Sequence, residues 1–184
     1  MKQIMHYTPD QLEMFKNLLG KGAAVAAPAE GVYGYCCNPF NEAGLNKIIE
    51  LKQRAPEKGF VVLISHINQL KMLAPPLTDH QKEMVKEHWP GQVTLVFPVK
   101  EGLPELLTGG FDTIAVRLPA KDYMQQYLEA WGKPLVSTSA NISGKPPIFE
   151  QYDLPDGIFS LTAPHKLQGG VSILLNAETG EQYR

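Results

Sequence analysis

"TIAVRLPAKDYMQQYLEAWGKPLVSTS", residues 113–139, reads as strand, helix, strand, and the fold turns on that reading. Ile114, Val116 and Leu118 alternate with Thr113, Ala115 and Arg117, the period of two that a strand shows when its faces meet different surroundings. Lys121–Trp131 suits a helix, and "GKP" turns the chain into a short apolar run ending in hydroxyls. Ser137, Thr138 and Ser139, followed by Asn141, raise a question. They either cap the turn into "NISGKPP" or form the donor wall of an anion site.

Further from this segment the same alternation of elements continues. Thr8-Pro9-Asp10-Gln11 has the form of a helix start, with Thr as N-cap, Pro at the first position and Gln three on from the cap. Leu12, Phe15, Leu18 and Leu19 share a face, and Gly20 and Gly22 end the helix. "AAVAAP" (23–28), "FVVLI" (60–64), "QVTLVFP" (92–98) and "VSILLN" (171–176) read as strands. Asn41 opens a helix carrying Leu45, Ile48 and Ile49, and Thr78 opens another that ends before Trp89-Pro90-Gly91. The pattern predicts an α/β fold with a twisted mixed sheet flanked by helices. The proline-rich stretch 144–157 reads as a surface loop, and one domain over 1–184 is expected.

Composition narrows the classes. Of 184 residues 43% are apolar and 20% charged, enough for one full core, and the formal net charge of −2 argues against a surface coated for nucleic acid. No run approaches the roughly 20 apolar residues of a membrane span, and the N-terminus lacks a secretory apolar core, so a cytoplasmic protein is expected. Cys36 and Cys37 are adjacent and read as small apolar side chains in a reduced compartment. The five histidines form no ligand-spaced pair, so no transition-metal site is expected.

Familiar phosphate-binding signatures are missing. No GxxxxGK[ST] and no strand-following GxGxxG occurs, and GxSxG is absent too. What remains is cationic. "ELKQRAPEKG" places Lys52, Arg54 and Lys58 in one connection between a helix and a strand. Such charges complement a helix C-terminus in water, or they hold an anion. Arg117 differs, because an arginine on a strand between hydrophobic neighbours is costly unless an anion meets it, from the protein or from a ligand.

The segments "PAEGVYGY" (28–35), "LKQRAPEKG" (51–59), "WPGQVTLVF" (89–97), "FDTIAVRLP" (111–119) and "PLVSTSANISG" (134–144) follow in order and spacing. Together they resemble the YrdC/TsaC family of threonylcarbamoyl-AMP synthases, in its short bacterial form. The resemblance implies a YrdC-like sheet around a concave basic cavity. It implies a nucleotidyltransferase that joins L-threonine, bicarbonate or CO₂, and ATP into L-threonylcarbamoyl-adenylate and pyrophosphate. The product serves t6A modification beside the anticodon of tRNAs that read ANN codons.

By that resemblance Lys52 and Arg54 are catalytic, and with Lys58, Thr113, Ser139, Asn141 and Ser172 they bind ATP. Arg117, Ser137 and Thr138 are expected on threonine. Mg²⁺ is expected to arrive with ATP, since no carboxylate cluster stands ready for it. Implied partners are the small substrates, downstream t6A transferase proteins and a possible tRNA or double-stranded RNA contact, with no membrane. An RNA-binding or ribosome-maturation protein using the same basic cavity is the alternative. The chain departs from the family pattern P-T-[DE]-T-x-Y-G, carrying Ala29 and Gly31 where threonines stand, and Leu63 where many longer members have a histidine facing threonine.

Overall fold

The computed structural model describes residues 4–170 and 172–183. Helix α1 (Pro9–Gly20) begins as its sequence predicts: Gln11 N donates to Thr8 Oγ1 at 3.2 Å, and Thr8 N donates to Gln11 Oε1 at 2.9 Å. This reciprocal box satisfies amides that the first helical turn leaves without partners. Thr78 and Gln81 repeat the device at α3 (Asp79–His88). Asn41 caps α2 (Glu42–Lys52), and α5 spans Asp122–Trp131.

Seven strands form one sheet: β1 (Val25–Pro28), β2 (Tyr33–Cys37), β3 (Val61–Leu63), β4 (Val93–Pro98), β5 (Thr113–Arg117), β6 (Leu135–Ser139) and β7 (Ile173–Asn176). Their spatial order is β1-β2-β6-β3-β5-β4-β7. β3 pairs with β5 and β4 with β7 in parallel, and the other neighbours are antiparallel, so the sheet is mixed as expected. The expected strand at 171–176 is present from Ile173, while Val171 lies outside the described residues.

One strand and one α-helix were not expected from the sequence. β2 is buried along its whole length, so "YGYCC" shows no alternation and carries a glycine, both of which hide a strand. The four-residue helix α4 (Glu105–Thr108) is too short to show a period. The stretch 144–157 is a loop apart from one turn of 3₁₀ helix at Gln151–Asp153.

Each sheet face has its own cover. On one, Phe15 and Leu19 of α1 and Tyr127 and Leu128 of α5 bury Val25, Ala27, Cys36 and Leu135. On the other, Leu45 and Ile48 of α2, Met84 of α3 and Leu107 of α4 pack on Ala26, Tyr35, Val62, Val116 and Val136. Burial pushes the Cys36 thiol up to about 12 and the Cys37 thiol up as well, as inert core residues.

Later segments run along the outer strands. Ala26 N donates to Phe159 O at 2.9 Å, and Leu161 N donates to Ala26 O at 3.1 Å. At the opposite edge Tyr183 N donates to Leu174 O at 2.8 Å, and Gln182 bridges to Leu175.

Candidate functional site

Helices α1 and α5 lie over the β1–β2–β6 side of their face, and beyond them the same face floors a cavity of about 860 Å³. Register explains which side chains reach it. Ser137 of β6 lies opposite Val61 of β3, Val61 pairs with Ala115 of β5, and Ala115 with Val96 of β4. All four line the cavity. Two residues along β5 in either direction stand Thr113 and Arg117, also lining it. At about 3.3 Å per residue the strand separates these ends by roughly 13 Å.

The Thr113 end is cationic. α2 stops at Lys52 because Gln53 adopts a left-handed conformation (φ 47), which turns Arg54 and Lys58 toward the sheet. The Arg54 guanidinium stacks 4.0 Å over the Phe60 ring, and its Nη2 donates to Gly59 O. Arg54 Nε is buried without a hydrogen-bond partner among the described residues. Burial also lowers the Arg54 pKa. Gly59 is required here: its φ is +61, and a Cβ would stand 2.6 Å from Thr108 O. Lys58 is exposed, 3.5 Å from Ser143 Oγ.

Lys52 has a different setting from its neighbours. It is 4% exposed, and its ammonium donates to Ser139 O (2.5 Å), Asn141 Oδ1 (2.9 Å) and Asn141 O (3.2 Å). Ser139 Oγ donates to the same Asn141 Oδ1 at 2.7 Å, and Asn141 Nδ2 donates to Lys145 O at 2.6 Å. Burial, then the charges of Arg54 and Lys58, lower the Lys52 pKa to about 8. Ser137, Thr138 and Ser139 line the cavity, whereas Lys52 and Asn141 stand behind its wall. Ser172 lines the cavity on the β4–β7 side and accepts from the buried Thr94 hydroxyl at 3.1 Å, level with Arg117 rather than with Thr113.

At the other end Arg117 is buried, as its strand position requires, and the protein itself supplies the anion. The guanidinium forms an ion pair with Glu30, and its Nε donates to Gly91 O at 2.8 Å. Glu30 comes from the 29–32 loop joining β1 to β2, which is held on several sides. Tyr127 Oη donates to Pro28 O (3.2 Å), Tyr123 Oη to Ala29 O (3.0 Å), and Gly169 N to Gly31 O (2.7 Å). Burial is the main cause that pushes the Tyr123 hydroxyl up to about 12, and the nearby Glu30 charge adds to it.

A Cβ at residue 31 would meet Gly169 O at 2.1 Å. Glycine therefore stands in this family threonine position because another backbone segment occupies the space. Sequence reasoning did not single out Glu30, although it stands at the acidic position of the motif. Its carboxylate is the counter-charge that Arg117 demanded.

Among the described residues there is no group of three or more His, Cys, Asp and Glu side chains able to hold a metal ion, and no helix long and apolar enough to cross a membrane.

Comparison with known proteins adds the following. A family model for Sua5, YciO and YrdC proteins, described as "Telomere recombination", matches residues 17–174. The threonylcarbamoyl-AMP synthase of Escherichia coli O1:K1 / APEC is 42% identical over 133 residues, 71% of this chain and 70% of that protein. That of Klebsiella pneumoniae is 44% identical over 125 residues, 67% of this chain and 66% of that protein. The crystal structure of P. abyssi Sua5 complexed with L-threonine superposes with a TM-score of 0.82 at 31% identity, over 90% of this chain and 50% of that one. The chain thus spans about half the length of that Sua5. E. coli YciO, at 19% identity and a TM-score of 0.80 over 96% of this chain, shares the fold.

Proposed function

The chain belongs to the Sua5/YciO/YrdC family, and on that premise we propose that it is a threonylcarbamoyl-AMP synthase, a nucleotidyltransferase contained in one YrdC-like domain over 1–184. The observation that carries the reading is the two-ended cavity, with Arg54, Lys58 and hydroxyls at one end, the two cations unpaired by any carboxylate among the described residues, and the Glu30–Arg117 pair at the other. ATP and an amino acid are ligands of those two kinds. The relatives named for this activity and the threonine complex of Sua5 support the same reading.

The amine of threonine captures CO₂ as a carbamate, releasing a proton. A carbamate oxygen then attacks the α-phosphorus of ATP, and pyrophosphate leaves. Such a displacement needs alignment and stabilisation of charge more than a dedicated base. Arg54 and Lys58 bind the phosphates, with Thr113 and Ser139 as hydroxyl donors beside them, and Ser172 closes on ATP from the β4–β7 side of the cavity. Lys52 and Asn141 serve that side from behind the wall, fixing the turn that presents Ser139. Arg117, Ser137 and Thr138 receive threonine. Mg²⁺ carried in by ATP would neutralise phosphate charge beside Arg54 and Lys58.

The adenylate is consumed in the cytoplasm by t6A transferase proteins acting on tRNA. The test is direct. Purified protein receives ATP, L-threonine and bicarbonate, and pyrophosphate release and the adenylate product are followed. Turnover that ignores omission of threonine or bicarbonate refutes the reading. Salt-sensitive RNA binding without threonine-dependent turnover selects an RNA-binding protein instead.

A further inference from the structure

The counter-charge of Arg117 has a use beyond holding it. Arg117 spends Nη2 on Glu30 and Nε on Gly91 O. Among the described residues Nη1 has no protein acceptor, and Glu30 Oε2 has no protein donor. Both residues line the cavity. An incoming carboxylate does not displace Glu30, since separating a desolvated ion pair leaves an uncompensated buried charge. The pair stays intact and presents a donor and an acceptor of opposite sign side by side.

We propose that Glu30 is a specificity-determining residue that, together with Arg117, recognises a zwitterionic α-amino acid. Nη1 of Arg117 takes the α-carboxylate, and the second oxygen of Glu30 takes the α-ammonium. The inference rests on the proposed use of threonine and adds the group that reads its amine. The end of the cavity carrying this pair is then neutral overall, so it selects for ligands that are themselves neutral overall. Free inorganic anions are directed to Arg54 and Lys58 instead. The 29–32 loop suits the task, because backbone bonds to Tyr123, Tyr127 and Gly169 fix where the carboxylate sits.

Calorimetry without ATP tests this with three probes: L-threonine, L-threoninamide, which lacks the carboxylate, and the matching 2,3-dihydroxybutanoate, which lacks the ammonium. The unsubstituted protein is expected to bind threonine at least tenfold more tightly than either analogue. In Glu30→Gln, threonine affinity is expected to fall at least tenfold while that for the 2,3-dihydroxybutanoate anion, now facing an unpaired Arg117, holds or rises. Equal losses for both ligands make Glu30 a structural support only and overturn the inference. So does wild-type protein that binds the dihydroxy acid as well as threonine, a result that needs no variant to fold. If threonine-dependent pyrophosphate release persists alongside either outcome, the synthase reading survives alone. If threonine does not bind at all, both fall.

Discussion

The ammonium of Lys52 lies 2.5 Å from Ser139 O and 2.9 Å from Asn141 Oδ1, tying the last residue of α2 to the last residue of β6. A lysine that gives its protons to protein oxygens organises a site rather than reaching into it. Lys52→Ala should lower pyrophosphate release at least tenfold, about 1.4 kcal/mol, through a misplaced Ser139. Amide exchange should rise across residues 139–145. Loss of activity with unchanged exchange would return Lys52 to direct phosphate contact.

The same lysine makes stability depend on pH with a definite sign. Its pKa falls from 10.5 to about 8 on folding, mainly through burial. Below about 8 both states hold the proton, and between about 8 and 10.5 only the unfolded state does. This group therefore makes the fold more stable as pH rises through that window, and the penalty is largest below it. Subtracting the pH profile of Lys52→Met, measured by urea unfolding from pH 7 to 10.5, should isolate this rise. A flat difference would show that the ammonium is not strained by burial.

Arg117 and Glu30 should behave as one unit. Removing either partner leaves a buried charge, so Arg117→Met or Glu30→Gln each should cost about 3–5 kcal/mol at most. The double substitution should cost clearly less than their sum, measured as a cycle in denaturant. Arg117→Lys keeps the charge but loses the planar fork that serves Gly91 O and Glu30 together, and should fail in turnover nearly as badly as Arg117→Ala. Additive stability losses would dissolve the pair.

Restoring the family threonines should give opposite results at the two positions. Gly31→Thr places a Cβ where Gly169 O already is, so it should destabilise by about 1–3 kcal/mol. Exchange protection of the Gly169 amide should be lost with it. Ala29 lines the cavity, and Ala29→Thr should tighten threonine affinity several-fold. A Gly31→Thr protein with wild-type melting and an ordered 169 amide contradicts the steric account.

Arg54 lies over the Phe60 ring, so its orientation depends on an aromatic neighbour as well as on charge. Phe60→Leu should raise the KM for ATP by several-fold with little change in kcat for saturated enzyme. Arg54→Ala should lower kcat/KM at least tenfold. Circular dichroism should match wild type in both.

Where the sequence carried a period or a cap, the fold was legible in it. The capping boxes at Thr8 and Thr78 and the alternation of Thr113, Ala115 and Arg117 are local signals, and each element lies where they point. β2 escaped because a strand buried on both faces needs no alternation. The site was legible as residue types and not as partnerships. That Arg117 needed an anion follows from its own neighbours. That the anion is Glu30, and that Gly31 makes room for Gly169, depend on segments brought together only by the sheet.

The covered rims of the sheet bear on how the protein behaves in company. Ala26, in the middle of one outer strand, has both its N–H and its C=O engaged by the 159–161 segment, and Leu174 on the other is engaged by Tyr183. An open strand is a template on which another copy can add its own, the first step toward aggregation. Here the chain has laid its own later segments along both margins. Loosening either segment, for instance by prolines at 161 or 183, would uncover that template and turn crowding into a hazard for a sheet otherwise closed to strangers.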